Sequence, residues 1–77
     1  MNGQDALKAA IAASGKTAYS LSKDVGRSPS YVSQMLRQAS KPTGETLALI
    51  GNACGYRLAL VPMGEDLPAG SLEVTAP

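Results

Sequence analysis

The sequence predicts a mainly α fold: four short helices, then one β-strand and a flexible tail. Apolar residues recur at helical spacing between start and stop signals over residues 2–55. The period changes to two over residues 56–61, and the remainder is rich in Gly, Pro and acids. At 77 residues the chain forms one domain with a thin core, which dimerisation would support.

Each predicted helix begins at a residue that can cap it. Asn2 caps the first helix, Thr17 the second and Thr43 the fourth. Ser28 caps the third helix, with Pro29 in its first turn, where the missing N–H costs nothing. Three glycines stand where a helix end favours the left-handed conformation: Gly15, Gly26 and Gly55.

Residues 56–61 alternate as a β-strand does, and Pro62 ends the pattern. A lone strand leaves an open edge, so we expect it to pair with its copy across a two-fold axis. The predicted dimer interface is Tyr56, Leu58, Ala59, Leu60 and Val61. The domain then covers residues 1–62, and residues 63–77 form a disordered acidic tail.

The composition argues against several classes of protein. With no His and a single Cys, Cys54, neither a metal site nor an internal disulfide is expected, and a reducing cytoplasm suits the chain. No nucleophile with a base and no carboxylate pair stands out, so we expect no enzyme and no cofactor. No apolar run is long enough for a membrane span. All seven basic residues precede Pro62 and three of the six acids follow it, a distribution compatible with nucleic-acid binding.

Residues 18–37, AYSLSKDVGRSPSYVSQMLR, meet the physical demands of a helix-turn-helix. Ser22 is small enough for two helices to approach, and Gly26 tolerates the positive φ of a corner. Apolar residues at the right spacing fill the angle between the helices: Leu21, Val25, Val32 and Met35.

The pattern L-S-x-x-V-G-x-S-x-x-x-V-S-x-x-L resembles the helix-turn-helix of the Cro and phage-repressor (XRE) family. K-P-T-G-E-T-L-x-x-I-x-x-A-x-G-Y resembles that family's next helix, and R-L-A-L-V-P resembles the closing strand of some small members. The likeness covers roughly residues 5–62. It implies a lambda-repressor-like fold and a phage or bacterial transcription regulator, a dimeric repressor that binds a palindromic operator in double-stranded DNA through its third helix.

The resemblance also implies which side chains contact DNA. The base-contacting positions are Ser30, Tyr31, Gln34 and Arg37. Two alternatives stay open: Arg37 binds guanine or a phosphate, and Tyr31 stacks on a sugar or a thymine methyl or partly packs. Phosphate contacts are expected from groups that flank the third helix and from the starts of the second and third helices, where free N–H groups attract anions: Thr17, Ser20, Lys23, Arg27, Ser28, Ser33 and Lys41. Two positions depart from the family: Ala18 replaces a frequent Gln, and Arg27 replaces an apolar residue. The stem of Arg27 covers the interhelical contact or its head binds a phosphate, and both interpretations stay open.

A second function belongs to another class. Small domains of this family also act as antitoxins, which bind a toxin or another protein partner. A longer structured arm and an uncharged third helix would favour that alternative. The short polar tail and the presence of Gln34 and Arg37 favour DNA.

Overall fold

The structure, a computed structural model, describes residues 1–37 and 42–75. Within these ranges the chain forms four helices: α1 (Gly3–Ser14), α2 (Ala18–Asp24), α3 (Tyr31–Arg37) and α4 (Gly44–Ala53). The mainly helical fold predicted from the sequence is confirmed. No helix in the described part of the chain has the length and apolar character needed to cross a membrane.

Three of the helices begin at the predicted caps. The side chains of Asn2, Thr17 and Thr43 each accept a hydrogen bond from the backbone N–H three residues on, at 2.8, 3.1 and 3.2 Å. Each bond pairs a donor that the first turn of a helix leaves free, and a cap of this kind contributes about 1 kcal/mol. Gly15 ends α1 in the left-handed conformation, at φ 71°.

The central cluster of the core takes one residue from each helix. Leu7, Leu21, Val32 and Ile50 form a single buried cluster, and all but Leu7 have no exposed surface. Partly buried residues surround it, among them Ile11, Met35, Leu36 and Leu47. Because each helix supplies one central side chain, the core is complete only when all four helices are assembled.

The start of the third helix differs from the prediction. The helix begins at Tyr31, whereas the sequence predicts a cap at Ser28 and a first turn at Pro29. The N–H of Tyr31 donates to the Ser28 carbonyl at 3.0 Å, which makes residues 28–31 a turn. The N–H of Gln34 donates to the Ser30 carbonyl at 2.9 Å, so Ser30 occupies the capping position. The cause is tertiary, because a side chain of α2 pairs the N–H of Val32.

The β-strand predicted over 56–61 is not present in the part of the chain that the structure describes. The Tyr56 N–H donates to the Gly51 carbonyl at 2.8 Å and so belongs to the end of α4. Residues 57–61 make no backbone hydrogen bond with any other described residue. A strand is defined by a partner strand, and a single copy of this chain supplies none.

The segment after Pro62 turns back towards α1. Turns form at 62–65 and 68–71, and Leu72 and Val74 line an apolar groove beside α1 and α4. The Thr75 N–H then donates to the Met1 carbonyl at 3.0 Å. These contacts favour a docked end for residues 71–75, whereas positions 76 and 77 of the predicted tail lie outside the described residues. The effect of a C-terminal deletion on stability tests the mobility predicted for residues 63–77.

We expect deletion of residues 71–77 to lower the melting temperature by about 4–8 °C, which corresponds to about 1 kcal/mol in a domain of this size. The deletion uncovers the groove beneath Leu72 and Val74, and exposed apolar surface destabilises the fold. Calorimetry or circular dichroism measures the change. Deletion of 76–77 alone is the control, because it retains the contact with Met1. An unchanged melting temperature would favour the mobile tail.

Candidate nucleic-acid interface

The turn between α2 and α3 depends on Gly26. This residue adopts φ 73°, a conformation that costs a side-chain-bearing residue about 1–2 kcal/mol. Its N–H donates to the Lys23 carbonyl at 3.0 Å, and the N–H of Arg27 donates to the Ser22 carbonyl at 2.9 Å. The chain therefore reverses direction with these backbone donors paired, and the predicted helix-turn-helix corner is confirmed.

Ser22 joins the two helices of the motif. It is completely buried; its Oγ donates to the Ala18 carbonyl at 2.8 Å and accepts from the Val32 N–H at 3.0 Å. The second bond pairs a donor in the first turn of α3 that lacks a partner within that helix. Ser22 thus orients α3 on α2 as well as allowing their close approach. The sequence analysis used only the small size of this residue. Its hydroxyl was the feature that could have predicted the hydrogen bond to α3.

The outer face of α3 presents hydrogen-bonding groups to solvent. Ser30, Gln34 and Arg37 are exposed. Gln34 Nε2 donates to Ser30 Oγ at 3.2 Å, which orients the amide. The amide keeps its carbonyl oxygen and a second N–H, the acceptor and donor that a bidentate contact with adenine uses. Three of the four predicted base-contacting residues therefore share one accessible face.

The fourth, Tyr31, has a different environment. Its ring is half-buried and packs against the core cluster. The Arg27 guanidinium carbon lies over the ring, 5.5 Å from its centroid. Arg27 itself is exposed, so its head does not enter the angle between the helices.

The first turn of α2 carries two predicted phosphate-contacting residues. Thr17 is exposed, and its hydroxyl oxygen is engaged as the cap; Ser20 is half-buried beside it. Lys23 is exposed and lies over the ring of Tyr19, with Nζ 5.4 Å from the centroid. Tyr19 is 57% exposed and was not singled out from the sequence. The feature that could have predicted this contact is the spacing of four residues between an aromatic and a basic residue on one helix, which places them on the same face.

The other predicted phosphate-contacting residues are distributed around α3. Ser28 is exposed in the turn before the helix, and Ser33 is half-buried within it. Lys41 lies outside the described residues. Lys16 is less available to a phosphate than an unpaired lysine would be. Its Nζ lies 3.1 Å from Asp24 Oδ2 and donates to the Ala53 carbonyl at 3.0 Å.

The predicted dimer residues form an exposed apolar stretch. Leu60 is fully exposed and Leu58 is about half exposed, at 53%. Ala59 and Val61 are also exposed, whereas Tyr56 is half-buried against the end of α4. Residues 57–61 combine accessible apolar surface with backbone groups that bond no described residue, the two properties that an interface between strands requires.

The described residues contain no group of three or more His, Cys, Asp or Glu side chains able to hold a metal ion. Cys54 is a half-buried free thiol at the end of α4. The polar groups that the fold brings together on the outside of α3 suit hydrogen bonding to a ligand surface.

Comparison with known proteins agrees with this geometry. A helix-turn-helix family model matches residues 7–61, about 70% of the chain, and spans all of α2, α3 and α4. No curated protein and no solved structure matches the chain significantly. The match runs through the Gly26 corner, the Ser22 contact and the exposed face of α3. This chain therefore belongs to the XRE-type helix-turn-helix family and is a DNA-binding regulator of that type.

Proposed function

We propose that this protein is a dimeric repressor that binds a palindromic operator, with α3 in the major groove. The observation that carries the proposal is Gln34, an exposed amide oriented by Ser30 on the outer face of a helix whose opposite face is buried. A helix in this position inserts side chains between the walls of the groove. Repression then follows from occlusion of the site.

In this proposal the bases are contacted by Ser30, Gln34 and Arg37, with Tyr31 at the edge of the same surface. Gln34 suits adenine, and the exposed Arg37 suits guanine. Phosphates are contacted by hydroxyl and cationic groups: Thr17, Ser20, Lys23, Arg27, Ser28, Ser33 and Lys41. These contacts position the helix and carry no sequence information themselves.

The dimer in this proposal forms through residues 56–61. Two copies of the segment, paired antiparallel about a two-fold axis, would satisfy the free backbone groups of 57–61 and cover Leu58 and Leu60. A second copy is the occupant that this geometry favours, since identical segments offer each other the same free donors, acceptors and apolar side chains. Such a dimer would hold two recognition helices about 34 Å apart, one turn of DNA.

We expect Gln34→Ala to weaken operator binding by about 1–3 kcal/mol and to leave binding to random DNA nearly unchanged. The amide bonds base edges only where the correct base is present. Titrations of both DNAs at one stated salt concentration measure the effect. Asn52→Ala is a control, because Asn52 is an exposed amide on α4, outside the helix-turn-helix. Equal losses on both DNAs would remove Gln34 from the base contacts.

Selection of bound sequences from a random DNA pool tests the function as a whole. We expect an enriched site of two inverted half-sites with centres about 10 base pairs apart. The salt concentration must be fixed, because the phosphate contribution to affinity depends on it. Failure to enrich any sequence, with intact folding, would contradict sequence-specific binding. An enriched single half-site would contradict the dimer and leave the α3 contacts in place.

A further inference from the structure

We infer that Tyr31 is a positioning residue for Arg27 and does not itself contact a base. This rests on the proposed function, since it assigns the mechanism by which one phosphate contact is made. The sequence left two roles open for Arg27 and placed Tyr31 among the base contacts. The structure relates these two residues to each other, because the Arg27 guanidinium lies over the Tyr31 ring.

The ring of Tyr31 contacts both the core and a cation. It packs against the core cluster of Leu7, Leu21, Val32 and Ile50, and the exposed Arg27 lies over it. A ring held in this way has little freedom to swing towards a base edge. It offers a rigid aromatic surface at the first residue of α3.

Arg27 is held at its backbone and at the end of its side chain. Its backbone N–H donates to the Ser22 carbonyl at 2.9 Å, directly after the Gly26 corner. Its guanidinium lies 5.5 Å from the Tyr31 centroid, within the range of a cation–π interaction. Arg27 has no ion-pair partner among the described residues. A stacked guanidinium keeps its N–H groups in its own plane, so they stay available to phosphate oxygens.

This arrangement lowers the entropic cost of binding, because the Arg27 side chain is already partly immobilised before it meets a phosphate. Arginine pays a large entropic cost when it is immobilised, and a side chain already held on a ring pays less at the interface. The pair therefore acts as one preorganised phosphate contact at the turn before α3. The aromatic ring is essential to this role, and the Tyr31 hydroxyl is not.

Nuclear magnetic resonance of the free protein tests the contact without DNA. We expect the side-chain protons of Arg27 to be shifted upfield by the Tyr31 ring current. The shift should persist in Tyr31→Phe and disappear in Tyr31→Leu. Tyr19→Leu is the matched control, because it removes the ring under Lys23 and should leave the Arg27 signals unchanged. Ordinary Arg27 shifts in the wild-type protein would overturn the inference even if Tyr31→Leu failed to fold.

Binding measurements over a range of salt concentrations test the consequence. Tyr31→Leu and Arg27→Ala should each weaken binding to operator and random DNA alike, by about two- to fivefold. Arg27→Ala should flatten the plot of log K against log salt by about 0.9, the contribution of one phosphate contact. Tyr31→Leu should flatten it by less, because the Arg27 charge remains but is no longer held in place. The double variant should resemble Arg27→Ala alone, because the two residues act as a unit. Tyr31→Phe should behave as the wild type.

A selective loss of operator binding in Tyr31→Phe would overturn the inference and show a base contact by the hydroxyl. Additive losses in the double variant would also contradict it. Failure of the proposed function has a different signature, since Gln34→Ala would then weaken operator and random DNA equally while the Arg27 ring-current shift remained.

Discussion

Substitution of Ser22 by leucine is expected to reduce the free energy of unfolding by about 2–5 kcal/mol, enough to unfold much of a small domain. Two effects act together. The larger side chain has no space at a completely buried position between α2 and α3. The change also removes the oxygen that accepts from the Val32 N–H at 3.0 Å and leaves a buried donor unpaired.

Ser22→Ala separates these effects, because alanine fits the space and removes only the hydroxyl. It is expected to cost about 1–3 kcal/mol, the penalty for a buried donor left without its partner. Ser20→Ala is the control on the same helix, since the Ser20 side chain is half-buried and makes no hydrogen bond to a described residue. Denaturation with urea measures all three variants. A stability of Ser22→Ala equal to that of the wild type would show that the Ser22–Val32 bond contributes nothing.

Introduction of a charge at Leu60 is expected to weaken binding to a palindromic operator by about 10²–10⁴-fold, the gain that linkage of two binding modules provides. Leu60 is fully exposed in one copy of the chain, so Leu60→Asp should not affect the fold. In the proposed dimer the same position is covered, and an unpaired carboxylate buried in each copy would separate the copies. Binding to a single half-site should be unaffected, because α3 is unchanged.

Met63→Asp is the matched control. Met63 is equally exposed but lies beyond Pro62, outside the proposed pairing segment. Sedimentation at micromolar concentration measures the oligomeric state of the wild type and both variants. Proline provides a second test: Ala59→Pro and Leu60→Pro should differ in effect, since successive N–H groups of a strand point to opposite edges. A monomeric wild-type protein that still protects a single half-site would contradict the dimer and leave residues 56–61 as a cover for the core.

The arrangement of three proposed base contacts followed from the sequence, because Gln34 and Arg37 lie on α3 and Ser30 directly precedes it. The positions of Ser30, Gln34 and Arg37 on a common outer face follow from helical periodicity around the buried Val32. Partial packing of Tyr31 was one of the alternatives that the sequence left open, but its contact with Arg27 did not follow, because periodicity gives a direction from the helix axis and no information about neighbours. Its ring is covered by Arg27, a residue outside α3 whose own position depends on the turn at Gly26.

The sequence by itself determined the features whose interactions are local. A side chain that accepts from a backbone N–H three residues away needs no distant partner, so the starts of α1, α2 and α4 were evident from Asn2, Thr17 and Thr43. The left-handed conformation at Gly26 is equally local, since it follows from the absence of a Cβ atom.

Only the tertiary structure decided the features whose partners are remote in the chain. The first turn of α3 is completed by Ser22, ten residues away, and the helix begins at Tyr31 for that reason. The Thr75 N–H donates to the Met1 carbonyl near the opposite end of the chain, a contact that no local sequence pattern predicts. The alternation over 56–61 shows which side chains would share a face, but a β-ladder needs backbone groups from a second segment. The described residues of one copy of the chain contain no such second segment, and the predicted strand is therefore absent from them.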